Sequence, residues 1–191
     1  MTVGSLFAGI GGFDAGFERA GFESVWQVEI DPFCNKILAR HFPKAKRYGD
    51  ITKVTGLEKV DVITGGFPCQ DLSVAGKRQG LAGKRSGLFY ELKRIVSEVR
   101  PTWIVVENVP GLLSSNGGKD FGLVLFHLEE CGYGLSWRIL DSRYFGVAQR
   151  RRRVFIVGYL GKPCPPEVLF EPKSVSGNFK KKRKKGSDIA R

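Results

Sequence analysis

The chain has 191 residues, 31 basic against 19 acidic side chains and hence a formal charge of +12, with 42% hydrophobic and 12% aromatic residues. That length suits one domain with a core of ordinary size, and aromatic residues spread along it offset the entropy of ordering, which excludes low-complexity disorder for most of the chain. No membrane-length apolar run occurs, and the N-terminus opens on strand-like residues where a signal peptide would show a charged and then an apolar region, so a soluble, cytoplasmic protein with no membrane partner is expected.

Short β-rich runs alternate with amphipathic or glycine-bounded segments of helical length, the pattern of a parallel sheet with helical crossovers. The sequence predicts strands at 2–7, 24–28, 46–48, 60–64, 102–106, 135–140 and 153–159, and helices at 12–20, 32–41, 87–99 and 121–131. The third helix carries Leu88, Leu92, Ile95, Val96 and Val99 at helical spacing. Too few residues separate the last two strands for a helix, so an α/β fold with a mostly parallel seven-stranded sheet and an antiparallel terminal hairpin is expected. After Pro163 the composition shifts to Pro, Glu, Lys, Ser and Gly, which assigns 1–170 to the packed domain and 171–191 to a basic, disordered tail. Residues 180–191 hold seven Lys or Arg and one Asp, and read equally as a solvated extension or a nonspecific nucleic-acid arm.

Taken in chain order, the motifs gather at one sheet edge. The first strand runs into Phe7-Ala8-Gly9-Ile10-Gly11-Gly12-Phe13, a glycine-rich turn that lets backbone approach a ligand and presents amide N–H groups at a helix start, although such turns also occur without ligands. Glu29 ends the second strand 18 residues past Gly11, where a carboxylate can accept hydrogen bonds from both ribose hydroxyls of a nucleoside. Asp50 and Ile51 follow the third strand and offer a carboxylate and an apolar face to an adenine. The dinucleotide pattern G-x-G-x-x-G fails at Asp14, so a mononucleoside ligand such as S-adenosylmethionine fits better than NAD.

Beyond the fourth strand comes Gly65-Gly66-Phe67-Pro68-Cys69-Gln70-Asp71-Leu72-Ser73, and beyond the fifth Glu107-Asn108-Val109-Pro110. A thiol and a carboxyl on neighbouring strand ends form a nucleophile and acid pair in the crevice where open α/β sheets place their chemistry. The other cysteines, Cys34, Cys131 and Cys164, form no C-x-x-C pair with each other or with Cys69, so neither a metal site nor a disulfide framework is expected.

These blocks resemble the cytosine-C5 DNA methyltransferases. SLFAGIGGF, Glu29, Gly49-Asp50-Ile51, GGFPCQDLS, Ser86-Gly87-Leu88-Phe89, ENVPGLL and QRRRRVFIVG follow the order of that family across 3–158, and Leu169-Phe170-Glu171-Pro172 is similar to its segment after the last strand. The resemblance implies a Rossmann-like, S-adenosylmethionine-dependent methyltransferase fold and methylation of cytosine in DNA, of the restriction-modification type. It implies Cys69 as the nucleophile on C6, Glu107 at N3 and the exocyclic amine, and Arg153 at O2 with Arg151 beside it. Thiolate addition at C6 makes C5 an enamine carbon, and a protonated carboxyl at N3 with a cation at O2 stabilises the charge that develops.

Implied cofactor contacts are Phe7, Ala8, Gly9, Gly11, Gly12, Glu29, Asp50, Ile51, Pro68 and Leu88, and implied substrate contacts are Gln70, Ser73, Asn108, Val109 and Gln149. DNA is the implied partner, its target cytosine flipped from the stack, with 73–87 similar to the loop that closes over the base. The family continues past the last strand into a target-recognition region and a helix packing beside the first strand, and this chain ends before them. Three readings follow: a DNA enzyme completed by a second polypeptide that carries the recognition region, an enzyme with the same chemistry on RNA, or a truncated product that turns nothing over. Without the covering helix, a sheet face lined by Val3, Leu6 or Val25 is expected to lie partly exposed.

Overall fold

A computed structural model of the protein describes residues 1–68 and 87–170. The elements follow in the order β1 (Thr2–Leu6), α1 (Gly12–Arg19), β2 (Glu23–Val28), α2 (Pro32–His41), β3 (Lys46–Tyr48), β4 (Val62–Gly65), α3 (Gly87–Val99), β5 (Trp103–Asn108), α4 (Lys119–Glu130), β6 (Tyr133–Asp141) and β7 (Arg152–Leu160). The strands form one sheet in the order β3-β2-β1-β4-β5-β7-β6. Pairings from β3 through β5 are parallel, and β7 runs antiparallel to both β5 and β6, as the short last connection implied. Among the described residues no helix is long and apolar enough to cross a membrane.

Strand alternation and helical spacing meet on one face of this sheet. Phe89, Leu92, Ile95 and Val96 of α3 are fully buried against Leu6, Ile63, Ile104 and Ile156, with Val124 and Leu128 of α4 extending the same cluster. Burying each such side chain contributes roughly 1.5–3 kcal/mol, so this layer dominates the stability of the fold. Phe89 occupies the centre of the α3 stripe, and Leu88 lies at its half-buried margin, because the buried positions 89, 92, 95, 96 and 99 define a helical face rotated from the expected one.

The opposite face is covered unevenly. Helix α1 lies against β1 and β2, and a small cluster of Leu38, Phe42 and Ala45 packs with Ala8 and Ala15 beneath α2. The expected exposure of Val3 and Leu6 is therefore wrong: both are buried, Val3 on the α1 side and Leu6 within the main core, while Val25 is half-buried. Apolar surface is left instead farther along the sheet, where Met1, Phe17, Trp103, Val105 and Val168 border an apolar cavity of about 320 Å3. Aromatic pairs line this stretch, Trp103 with Tyr159 at 4.3 Å between centroids and Phe13 edge-on to Phe155 at 6.3 Å.

Candidate active site

The parallel strands β1, β2, β4 and β5 all deliver their carboxyl ends to one edge, and β7, being antiparallel, begins there. Glu107 near the end of β5 faces the same side as Phe155, its partner in the register, and Arg153 lies two residues earlier on β7. Arg153 Nε sits 2.6 Å from Glu107 Oε1, a charge-assisted contact between two side chains that are each 22% exposed. The carboxylate can lie there because Gly66 has no side chain: a Cβ at that position would come within 2.9 Å of Glu107 Oε2.

Glu107, Arg151 and Arg153 line a cavity of about 360 Å3 whose walls include Leu140, Phe145 and Phe155. The turn from β6 to β7 is tied by Ser142, whose amide donates to the Arg151 carbonyl at 3.0 Å and whose hydroxyl donates to the Gln149 carbonyl at 2.5 Å and accepts from the Arg151 amide at 3.2 Å. Gln149 is exposed and meets this turn through its backbone. Nothing in the local sequence singles out Ser142, which sits outside every motif.

Asn108 departs from its expected substrate contact. It is buried, its Nδ2 donating to the Phe67 carbonyl at 3.1 Å and its Oδ1 accepting from the Val109 amide at 2.8 Å. Since its side chain points into the core face, it ties the end of β5 to the segment after β4, and it positions Phe67 and Pro68 without facing the cavity. Val109 then begins the 3-10 turns of Pro110–Gly118. Cys69, Gln70 and Ser73 lie outside the described residues, the chain being described up to Pro68, which is half-buried.

On the other half of the edge, three residues of the turn after β1 have left-handed backbone: Phe7 (φ 53°), Gly9 (φ 56°) and Gly11 (φ 86°). Gly11 precedes α1 as its N-cap, and a Cβ there would lie 2.4 Å from the Phe42 ring, whereas among the described residues nothing lies within 4 Å of a Cβ at Gly9 or Gly12. Ala8 fixes the turn to β2 through its amide, which donates to the Val28 carbonyl at 3.1 Å. Glu29 stitches the two loops together, Oε2 accepting from the Gly9 amide at 2.7 Å and Oε1 from the Asp31 amide at 2.8 Å. One lone-pair direction on each oxygen is thus committed to the protein and another left for a ligand.

Asp50 caps the 3-10 helix Ile51–Lys53 by accepting from the amide and hydroxyl of Thr52, and these bonds hold its carboxyl below the usual value of 3.8. Ile51 is buried, and its carbonyl is anchored by Arg94 Nη2 at 3.0 Å. An open glycine turn at a helix start beside two carboxylates is a donor and acceptor set that fits a nucleoside, and the exposed Ile10 and Ile30 on the adjoining loops, with Phe33 in the first turn of α2, add apolar surface.

Comparison with known proteins identifies the family. A model of the C-5 cytosine-specific DNA methylases matches residues 1–189. The chain belongs to that family. It is 40% identical over 174 residues to the type II methyltransferase M2.BsuMI of Bacillus subtilis, covering 89% of this chain and 44% of the relative. Against the type II methyltransferase M.BanI of Aneurinibacillus aneurinilyticus it is 42% identical over 162 residues, covering 82% and 38%. The chain thus spans less than half the length of these two methylases. Among solved structures, a prophage-encoded DNA modification methyltransferase from E. coli is similar with a TM-score of 0.71, 26% identity, and coverage of 84% of this chain and 47% of that one. The Dnmt2 methyltransferase of S. pombe shares the fold at a TM-score of 0.67 and 24% identity, over 86% of this chain and 52% of that one.

Proposed function

We propose that this chain is the chemical half of a DNA cytosine-C5 methyltransferase, with Cys69 as nucleophile and a flipped cytosine in the cavity beside Glu107. The observation that carries the proposal is the Glu107–Arg153 pair, with Arg151 beside it, at the strand edge to which β4 leads just before Cys69. A neutral pocket would serve an apolar ligand, whereas a carboxyl and two guanidiniums on one wall match the N3, N4 and O2 edge of a pyrimidine.

Phe7, Gly9, Gly11, Gly12, Glu29, Asp50 and Ile51 would hold S-adenosylmethionine, which when bound supplies the electrophilic methyl group that C5 accepts. Cys69 Sγ, as thiolate, forms a bond to C6, and the electron pair of the C5–C6 double bond moves to C5. Glu107 holds a proton against N3 and accepts from the exocyclic amine, and Arg153 donates to O2 as charge grows there. Arg151, anchored through its backbone by Ser142, keeps that wall cationic. After C5 has gained its methyl group, loss of the C5 proton to a base re-forms the double bond and expels Cys69 as thiolate.

Reading the DNA sequence around the target is assigned to a region outside these residues, supplied in the same chain or by a second polypeptide. The test is methyl transfer from radiolabelled S-adenosylmethionine to duplex DNA, with nucleoside analysis of the product, by this chain alone and with the recognition half of a relative added. Label recovered as 5-methylcytosine that depends on Cys69 supports the proposal. Label in RNA alone, or in no nucleic acid under either condition, overturns it.

A further inference from the structure

Four consecutive arginines, Arg150 to Arg153, divide between two cavities. Arg151 and Arg153 line the cavity that holds Glu107, whereas Arg150 and Arg152 line a separate groove of about 650 Å3 along the outer edge of β6, the last strand of the sheet. The run enters β7 at Arg152, and its side chains alternate between the two cavities, so one basic run serves two surfaces. Arg138 and Arg143 bring a third and a fourth guanidinium into the outer groove. Leu140 and Phe145 line both spaces and form the wall between them.

The groove is cationic by construction. Among the described residues Asp141 is the one carboxylate in its lining; its Oδ2 lies 3.3 Å from Arg143 Nε and 3.9 Å from Arg150 Nε. Four guanidiniums against one carboxylate give the described lining an excess of three positive charges. Two of the forks are held in place: Arg143 lies 4.6 Å over the Tyr144 ring and donates to its hydroxyl at 2.6 Å, and Arg138 donates to the Leu169 carbonyl at 2.8 Å and stacks on Phe170 at 5.3 Å. Held guanidiniums lose little entropy on pairing with an oxyanion, and their planar forks match phosphate oxygens.

We propose that the outer groove is a track for the nucleic-acid backbone, in which Arg138, Arg143, Arg150 and Arg152 engage phosphates beside the nucleotide whose base enters the inner cavity. The position of the base rests on the function proposed above; the attraction of the groove for phosphate does not. A peptide adding a strand to the β6 edge is the competing occupant, and a rim of four arginines favours a polyanion over it.

The test is binding of a fluorescent duplex to the full chain by anisotropy across a salt series. Replacing Arg150 and Arg152 together by Gln removes two charges, so the slope of log K against log salt should flatten by up to about 1.8, which makes the loss of affinity between 50 and 200 mM salt about tenfold smaller. Arg150→Lys with Arg152→Lys should restore the slope, which a merely structural defect would not allow. Calorimetric affinity for S-adenosylmethionine should stay at the wild-type value in both double variants. A slope unchanged by the Gln pair overturns the proposal, as does a change that the Lys pair fails to rescue. If the slope responds as expected while the wild type forms no covalent adduct with DNA, the groove stands and the proposed chemistry falls.

Discussion

Arg153 Nε meets Glu107 Oε1 at 2.6 Å above the backbone of Gly66, whose missing side chain leaves the carboxylate its place. Three strands contribute to this contact, since Gly66 follows β4, Glu107 belongs to β5 and Arg153 to β7. Gly66→Ala should therefore displace the carboxylate with little change to the fold, because the nearest atom a Cβ would strike is the far end of a side chain. Thermal unfolding should stay near wild type while methyl transfer falls on the order of 100-fold or more, the usual scale for losing a positioned acid. Unchanged turnover would separate Glu107 from the chemistry.

Glu29 and Asp50 should differ in what their loss costs. Glu29 binds two backbone amides in two loops, whereas Asp50 serves Thr52, with Lys53 Nζ 3.9 Å away, all within one turn. Glu29→Ala should lower S-adenosylmethionine affinity by roughly 1–3 kcal/mol, since it leaves the Gly9 and Asp31 amides without partners and removes a ligand acceptor. Asp50→Ala should cost less in stability and still weaken binding. Calorimetry and thermal melts on both variants check this, and equal effects in both measurements would contradict the stitching role of Glu29.

Asp14 is completely buried, and burial pushes its carboxyl above the usual 3.8 despite a 2.9 Å bond from Gln27 Nε2. The folded protein therefore holds this proton more tightly than the unfolded chain. The contribution of Asp14 to stability is greatest below 3.8 and declines as pH rises from there through the folded value. Among the described residues Asp14 Oδ2, Ser24 Oγ and Gln27 Oε1 have no hydrogen-bond partner, and an asparagine amide in place of Oδ2 could donate to Ser24, whose hydroxyl faces the Asp14 carboxyl. Asp14→Asn should thus gain on the order of 1 kcal/mol at pH 7 and flatten the fall in stability above pH 4. Denaturant titrations across that range decide it, and a variant less stable at every pH would contradict it.

The order of elements and the sheet edge at which the motifs gather are legible in the sequence because both are local. Alternating apolar runs mark strands, glycine turns mark the crossovers, and the short gap before β7 marks the reversal that brings Arg153 back to the edge where β5 ends. Contacts set by register are not legible in that way. The inward turn of Asn108, the clearance at Gly66 and the anchoring by Ser142 depend on which residues of β4, β5, β6 and β7 stand side by side, and no single segment encodes that. The uncovered face differs from the expected one for the same reason: Val3 is buried, and the apolar surface lies at Trp103 and Val105.

That surface should make the chain self-associate when it is purified alone. Replacing the exposed Val168 by Lys at the rim of the apolar cavity should shift sedimentation toward monomer without lowering the melting temperature by more than about 2 °C, since surface changes usually stay within about 0.5 kcal/mol. A wild type that sediments as a monodisperse monomer would show that this face is not adhesive.

The most direct measurement is covalent trapping. Wild-type chain, with the recognition half of a relative supplied, is incubated with S-adenosylmethionine and duplex DNA carrying 5-fluorocytosine at the target, where fluorine at C5 prevents the final loss of a proton. The expected result is a denaturation-resistant adduct whose peptide map places the nucleotide on Cys69, and none with Cys69→Ser. An adduct that persists in Cys69→Ser, or a preparation that methylates ordinary DNA yet traps no fluorinated base, would contradict covalent catalysis by Cys69.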